Sequence, residues 1–214
     1  VKDYQRDFFN FAIDSGALRF GEFTLKSGRV SPYFFNTGKF SDGASAAKLG
    51  SYYAAVLNER VKSHFMLFGP AYKGIPLATA TAVALANEHD RSVDFSFNRK
   101  EIKDHGEGGM TVGAPLEGLV VIIDDVVSSG LSVAESVEII QRAGATPAAV
   151  VITLDRQERM IDENRSATDA ISERFGFPVH PIADLQTLIT FLESSGGYTE
   201  EVSRIKAYRD EYGA

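Results

Sequence analysis

Apolar residues along this chain follow two rhythms. The run Leu119-Val120-Val121-Ile122-Ile123 has no polar break and reads as a strand buried on both faces, as in the middle of a parallel sheet. Shorter runs at Phe65 to Phe68, Val93 to Phe97, Ala148 to Leu154 and Val179 to Ile182 read as further strands. Between them the spacing turns helical. Helices are predicted over 43–60, over an Ala-rich 75–88, over 162–174 and over 184–193. Val133, Val137, Ile140 and Ala143 mark one face of another, with Arg142 in its last turn and Gly144 as its stop. A last helix, after Gly196-Gly197, carries Val202, Ile205, Tyr208 and Tyr212. Strands alternating with helices predict an α/β fold, a parallel sheet with helices on both faces. The first forty residues differ. Tyr4, Phe8 and Phe11 mark an amphipathic helix ending near Gly16, and 18–36 reads as a β-hairpin turning at Ser27-Gly28. The chain is therefore expected to be one domain over 1–214. It comprises a small β-containing hood (roughly 1–40), a core (roughly 41–195) and a C-terminal helix (roughly 199–212). A polar loop is expected from Asn98 to about Gly109.

Composition narrows the class. At 214 residues, with 44% hydrophobic and 24% charged, the chain has the make-up of a globular domain with a sizeable core. It has no cysteine, which removes disulfides, thiolate catalysis and Cys-ligated metals. The net charge of −7 argues against a general nucleic-acid binder, which needs a broad cationic face. No apolar run is long enough to span a bilayer, and the charged opening, Val1 to Asp7, lacks a secretory pattern. A cytoplasmic protein with no membrane partner is expected. Any polyphosphate ligand would need cations concentrated locally against this acidic background.

The chemistry gathers after the apolar run. Asp124-Asp125 are followed by Val126-Val127-Ser128-Ser129-Gly130-Leu131-Ser132, and then by a helix. A helix N-terminus with small residues before it offers backbone N–H groups to a phosphate, and the Ser128, Ser129 and Ser132 hydroxyls add donors. Two carboxylates would repel a phosphate but accept hydrogen bonds from sugar hydroxyls. A diol near a phosphomonoester is a ribose 5-phosphate. The plain alternative is a capped βα turn with surface acids. No Gly-x-x-x-x-Gly-Lys-Ser/Thr occurs, and no Gly-x-Gly-x-x-Gly opens a helix after a strand. A second segment, Arg99 to Gly109, balances Arg99, Lys100 and Lys103 against Glu101, Asp104 and Glu107. It reads plainly as a solvated surface loop. Its glycines would let it swing as a lid over a diphosphate, and His105 can change charge near neutral pH. The turn Gly69-Pro70-Ala71-Tyr72-Lys73-Gly74 joins a strand to a helix and puts Lys73 at the same end of the sheet.

The segment from Leu119 to Ser132 resembles the 5-phosphoribosyl-1-diphosphate (PRPP) signature of type I phosphoribosyltransferases. Ser128 stands where Thr is usual in that family, and Leu131 follows Gly130. Longer stretches resemble the orotate phosphoribosyltransferases of the bacterial type within it. These are Phe20 to Arg29, Ser31 to Asn36, Phe68 to Pro76, Asn98 to Glu101 with Lys103 to Gly108, and Leu154 to Glu158. The resemblance implies that Lys26, Tyr72, Lys73, Arg99, Lys100, Lys103 and His105 contact PRPP or its diphosphate. It implies that Asp124 through Ser132 hold the ribose 5-phosphate, and that Lys26, Phe34, Phe35, Ser128 and Arg156 meet orotate. Lys103, His105, Asp124, Asp125 and Arg99 would then carry the chemistry, with Mg²⁺ held mainly by the substrate near Asp124 and Asp125. An aromatic surface at Phe34-Phe35 with one arginine suits a planar ring bearing a carboxylate. Without the resemblance, Phe34 and Phe35 read as core and Arg156 as half of an ion pair with Asp155 or Glu158. The resemblance also implies a cis peptide at Ala71-Tyr72 and a homodimer whose lid reaches the neighbouring site. Two rivals remain in view, a phosphoribosyltransferase for another base and a PRPP-sensing regulator that binds nucleic acid. Arg156, Lys26 and the Phe34-Phe35 pair oppose the first, and the acidic balance opposes the second.

Overall fold

The computed structural model describes residues 1–103, 109–127 and 130–214, without the side chains of 101–103 and 109. Its centre is a six-stranded sheet built from β3 (Met66–Gly69), β4 (Phe95–Lys103), β5 (Gly109–Gly113), β6 (Leu119–Ile123), β7 (Thr146–Asp155) and β8 (Val179–Asp184). The strands lie in the order β5-β4-β3-β6-β7-β8. All neighbours are parallel except the edge strand β5, which runs antiparallel to β4. The predicted parallel sheet is present.

The unbroken apolar run is explained by what each face meets. Val121 and Ile123 of β6, with Leu67 of β3 and Val151 of β7, point into one core. That core is built with α1 (Asp3–Asp14), α2 (Gly43–Arg60), α3 (Gly74–His89), α6 (Leu185–Ser195) and α7 (Thr199–Tyr212). Val120, Ile122, Phe68 and Ile152 point the other way, against α4 (Leu131–Arg142) and α5 (Ala167–Phe175). Successive strand residues alternate faces, so a strand covered on both sides needs apolar residues at every position.

The N-terminal hairpin forms its own sheet, β1 (Leu18–Thr24) against β2 (Val30–Phe35), with a register shift between Phe20 and Phe23. Thr37–Lys39 makes a short 3-10 turn that leads back to the core.

Two elements depart from the pattern reading. The loop expected at 98–109 is strand at both ends, because β4 continues to Lys103 and pairs with β5. Backbone hydrogen bonds at a sheet edge ask for no apolar side chain, so a charged strand leaves no hydrophobic trace. The helix expected from 162 begins at Ala167, where the Ser166 hydroxyl accepts the Asp169 N–H at 3.1 Å and caps it.

Helices α2 and α3 approach closely where Gly50 lies. A Cβ there would meet the Ala80 carbonyl oxygen at 2.5 Å, a backbone atom that cannot turn aside. Gly50→Ala is therefore expected to lower unfolding free energy by about 1–3 kcal/mol, as overpacking does, despite alanine's better helix propensity. Urea denaturation measures it. A neutral or stabilising result would show that the helix pair can open without cost.

Candidate active site

Sheet order locates the crevice. From β3 the chain steps to β4 on one side, whereas β6 returns to the other side of β3. The carboxyl ends of β3 and β6 therefore diverge into a cleft, where ligands of open α/β sheets bind. The turn after β3 supplies Lys73 and the turn after β6 supplies Asp124 and Asp125. They meet there: Lys73 Nζ lies 2.6 Å from Asp125 Oδ2.

Both carboxylates are buried, and each is satisfied by its surroundings. Asp125 Oδ2 also accepts the Thr37 hydroxyl at 3.0 Å, and its Oδ1 accepts the Val126 N–H at 2.8 Å. Asp124 Oδ1 accepts the Asp125 N–H at 2.8 Å, and its Oδ2 accepts the Ser132 hydroxyl at 2.9 Å. Their carbonyls are held as well, that of Asp124 by the Tyr53 hydroxyl at 2.6 Å and that of Asp125 by the Thr153 hydroxyl. Burial raises the Asp124 carboxyl above its ordinary value, against the lowering effect of the Asp125 amide and the Ser132 hydroxyl.

The loop beyond the acids reaches α4 through Gly130, whose φ of +73° is a left-handed conformation open to glycine at no cost. Leu131 is 68% exposed at the head of that helix, and Val126 is also exposed. Ser128 and Ser129 lie outside the described residues, as do His105 and the Lys103 side chain.

In the turn after β3, the Ala71-Tyr72 peptide is cis, as expected. The Ala71 N–H donates to Asn98 Oδ1 at 2.7 Å, tying this turn to β4. Tyr72 is 71% exposed, with the Lys100 ammonium 5.7 Å from its ring centroid. Arg99 lies next to Lys100 on β4, half-buried, and Lys26 stands exposed in the hood's hairpin turn.

Arg156, just past the end of β7, is not a loose cation. Glu158 Oε1 accepts from its Nε at 2.8 Å and lies 2.6 Å from its Nη2. Nη2 also donates to the Ser31 hydroxyl at 3.0 Å, and the guanidinium lies 4.3 Å from the Tyr33 ring centroid. A bidentate grip on a carboxylate would have to share Nη2 with Ser31.

The single aromatic surface expected at Phe34-Phe35 is corrected. Phe35 packs its ring near Phe8 and Phe40, at 6.0 and 6.4 Å between centroids. The Phe34 ring lies instead beside Phe23 and Arg19. Neighbouring strand residues face opposite ways, so these two rings cannot form one platform.

Sequence reading missed Thr37, Asn98, Tyr53 and Thr153. Each is an ordinary residue whose partner is distant along the chain, and only Asn98, at the edge of the cationic segment, carried any local signal.

An acid pair at the carboxyl end of β6, a glycine opening α4 beyond it and a lysine-bearing turn across the switch point define a phosphoribosyltransferase type of site. The sequence model described as "Phosphoribosyl transferase domain" matches residues 43–184. The chain belongs to the orotate phosphoribosyltransferase family. It is 53% identical to the orotate phosphoribosyltransferase of Thioalkalivibrio sulfidiphilus over 213 residues, covering 100% of both chains. It is 54% identical to that of Laribacter hongkongensis, covering 100% of this chain and 99% of the relative. The crystal structure of orotate phosphoribosyltransferase from Francisella tularensis matches with a TM-score of 0.89 at 39% identity, covering 97% of this chain and 100% of that one. Adenine phosphoribosyltransferase from Saccharomyces cerevisiae matches with a TM-score of 0.54 at 19% identity over 81% of this chain and 99% of that one. That last likeness is of fold alone, so the fold by itself does not choose the base.

The raised Asp124 carboxyl has a testable sign. Its folded-state pKa lies above the ordinary 3.8, so its contribution to stability is fully present below that value and lost as pH rises through the folded one. Asp124→Asn keeps an acceptor for the Asp125 amide without the buried charge. Its thermal stability relative to the parent should be highest near pH 7 and fall as the pH approaches 4, while activity drops. Melting curves across that range check it. A stability difference that does not vary with pH would contradict the assignment.

Proposed function

We propose that this chain transfers the 5-phosphoribosyl group from PRPP to N1 of orotate, giving orotidine 5′-monophosphate and diphosphate, a step of pyrimidine biosynthesis. The observation that carries the reading is the meeting of Lys73 and Asp125 across the β3–β6 cleft. It juxtaposes an acceptor for ribose hydroxyls with a cation for a diphosphate. In the reaction the bond from ribose C1 to the diphosphate oxygen breaks, and a bond from C1 to N1 forms on the opposite face with inversion, the acidic N1 proton being given up to water. Asp124 and Asp125 accept the ribose hydroxyls and stand close to the positive charge that grows on the ring. The amides from Val126 to Ser132 hold the 5-phosphate at the start of α4. Lys73 leaves Asp125 for the diphosphate once the ribose hydroxyls take that carboxylate. Tyr72, Arg99, Lys100, Lys103 and His105 complete the diphosphate site.

Mg²⁺ is the expected cofactor, and the hard carboxylate oxygens of Asp124 and Asp125 suit it. Among the described residues no three His, Asp or Glu converge to hold a metal, so substrate oxygens and water are assigned the rest of its shell. When bound with the diphosphate it supplies Lewis-acid stabilisation of the leaving charge.

Orotate is assigned to the hood side. Arg156 meets its carboxylate, Lys26 and Ser128 approach its edge, and Phe34 and Phe35 contribute mainly backbone groups. Consumption of orotate with PRPP and Mg²⁺, followed at an orotate absorption band, tests the activity. Arg156→Ala should weaken orotate binding by about 2–3 kcal/mol, the scale of a charge-assisted pair, and leave PRPP binding nearly unchanged. Equal losses for the two substrates in calorimetric titration would mean that Arg156 is structural.

A homodimer with a lid shared between subunits belongs to the same proposal. Helix α3 exposes Pro76 and Val83, the latter 54% exposed, beside the exposed Tyr72. This apolar strip is suited to a second copy of the chain. No helix among the described residues is long and apolar enough to cross a membrane. When Lys103→Ala and Asp125→Asn subunits exchange, a hybrid dimer with shared sites has one site free of lesions. If half the dimers are hybrids, roughly a quarter of the parent activity should return, by counting sites under two-fold symmetry. No gain on mixing, with exchange confirmed by mass spectrometry, would sink the shared lid.

A further inference from the structure

The segment after β7 is held more firmly than a surface loop needs. Gln157 has a φ of 51°, a left-handed conformation that costs a residue with a Cβ and persists only where its surroundings enforce it. Here the enforcement comes from several sides. Asp155 Oδ1 accepts the Gln157 N–H at 2.8 Å, and Gln157 Oε1 accepts the Gln186 N–H at 2.9 Å. The Gln157 carbonyl accepts the Ala214 N–H at 2.9 Å, and the Tyr212 carbonyl accepts the Arg159 N–H at 2.9 Å. Glu158 forms an isolated antiparallel bridge with Gly213. The end of α7 thus grips the backbone on either side of Glu158.

The side chain held there has a particular task. Glu158 Oε1 accepts from Nε and lies 2.6 Å from Nη2, on the Nε side of the Arg156 guanidinium. Ser31 takes an Nη2 proton. A guanidinium has five N–H donors, and Glu158 and Ser31 engage those of Nε and Nη2. Glu158 Oε2 lies 3.7 Å from Arg29, whose guanidinium stands 4.9 Å from the Tyr212 ring centroid. One carboxylate therefore sits between two arginines, and the group of three keeps a net positive charge. The Tyr33 ring under Arg156 meets the Tyr208 ring of α7 edge-on, at 6.5 Å and 87°.

We propose that Glu158, clamped by the end of α7, is a positioning residue for base binding. It fixes the roll of the Arg156 guanidinium so that Nη1 faces the carboxylate of a planar substrate, and Arg29 offsets the negative charge that would otherwise cancel Arg156. The inference deepens the reading of Arg156 as the orotate contact and rests on it. It also gives α7, which lies outside the matched 43–184 span, a part in choosing the base.

Steady-state kinetics on the full chain separate the two ideas. The set is Arg156→Ala, Glu158→Gln, Glu158→Ala and the double Arg156→Ala/Glu158→Ala, each checked for a parent-like melting profile. Glu158→Ala should raise KM for orotate about tenfold and leave KM for PRPP within about twofold, because only the base contact is misplaced. Glu158→Gln keeps an acceptor for Arg156 and should lose less, and it carries the test if the alanine variant fails to fold. In the Arg156→Ala background, Glu158→Ala should add almost nothing, the mark of two residues acting through one contact. A large effect of Arg156→Ala with none from either Glu158 variant would overturn the positioning role alone. Equal rises in both KM values, or full additivity in the double variant, would overturn it too. An unchanged orotate KM in Arg156→Ala would overturn both this proposal and the base-site reading beneath it.

Discussion

Two adjacent carboxylates buried at the end of an apolar strand are the constraint around which this molecule is arranged. Taking a carboxylate out of water costs several kcal/mol unless hydrogen bonds and an opposite charge replace the lost hydration. The replacement comes from three directions. Ser132 on α4 and the amides of Asp125 and Val126 serve from below, and Lys73 serves from across the cleft. Thr37 serves from the segment joining the hood to the core. Burial still holds the Asp124 carboxyl above its ordinary value.

That constraint also decides how the parts communicate. Lys73 belongs to a turn whose Ala71 amide is tied to Asn98 on β4, so the two sides of the cleft are linked through β3 and its neighbour. On the other side, Thr153 donates from both its hydroxyl and its amide to the Asp125 carbonyl. Thr153 lies on β7 shortly before Arg156, so the strand that steadies the acid pair also presents Arg156. The proposed phosphoribose and base sites are thus set on neighbouring strands, and their relative placement follows sheet register.

The proposed base side is assembled differently. Its members come from the hood (Ser31 and Tyr33), from the end of β7 (Arg156 and Glu158) and from α7 (Tyr208). Hood and α7 lie outside the span that matches the phosphoribosyl transferase domain. The division has a physical logic. Every enzyme using PRPP faces the same phosphates and diol, whereas the acceptor ring differs, so the recognition of the ring can vary on elements outside the common span.

Local chemistry made much of this readable from the chain. The run at 119–123 read as a strand covered on both faces, and the acids and small residues after it read as a turn into a helix, so β6 and α4 were legible. The long matched stretches carried the cis peptide and the family. What stayed hidden were contacts between residues far apart along the chain. Nothing in the neighbourhood of Thr37 or Tyr53 announces Asp124-Asp125, because a hydroxyl's partner is chosen by how elements pack and not by what flanks it. The charged edge of β4 looked like a loop, since its pairing uses backbone groups that every sequence possesses. The opposed rings of Phe34 and Phe35, and the choice of Glu158 as the partner of Arg156, were decided only by strand alternation and by the closing of α7 over the hood. Sequence alone determined which chemistry the chain carries. Tertiary structure decided which of those groups face one another, because orientation and distance are set by packing between segments that have no local sign of each other.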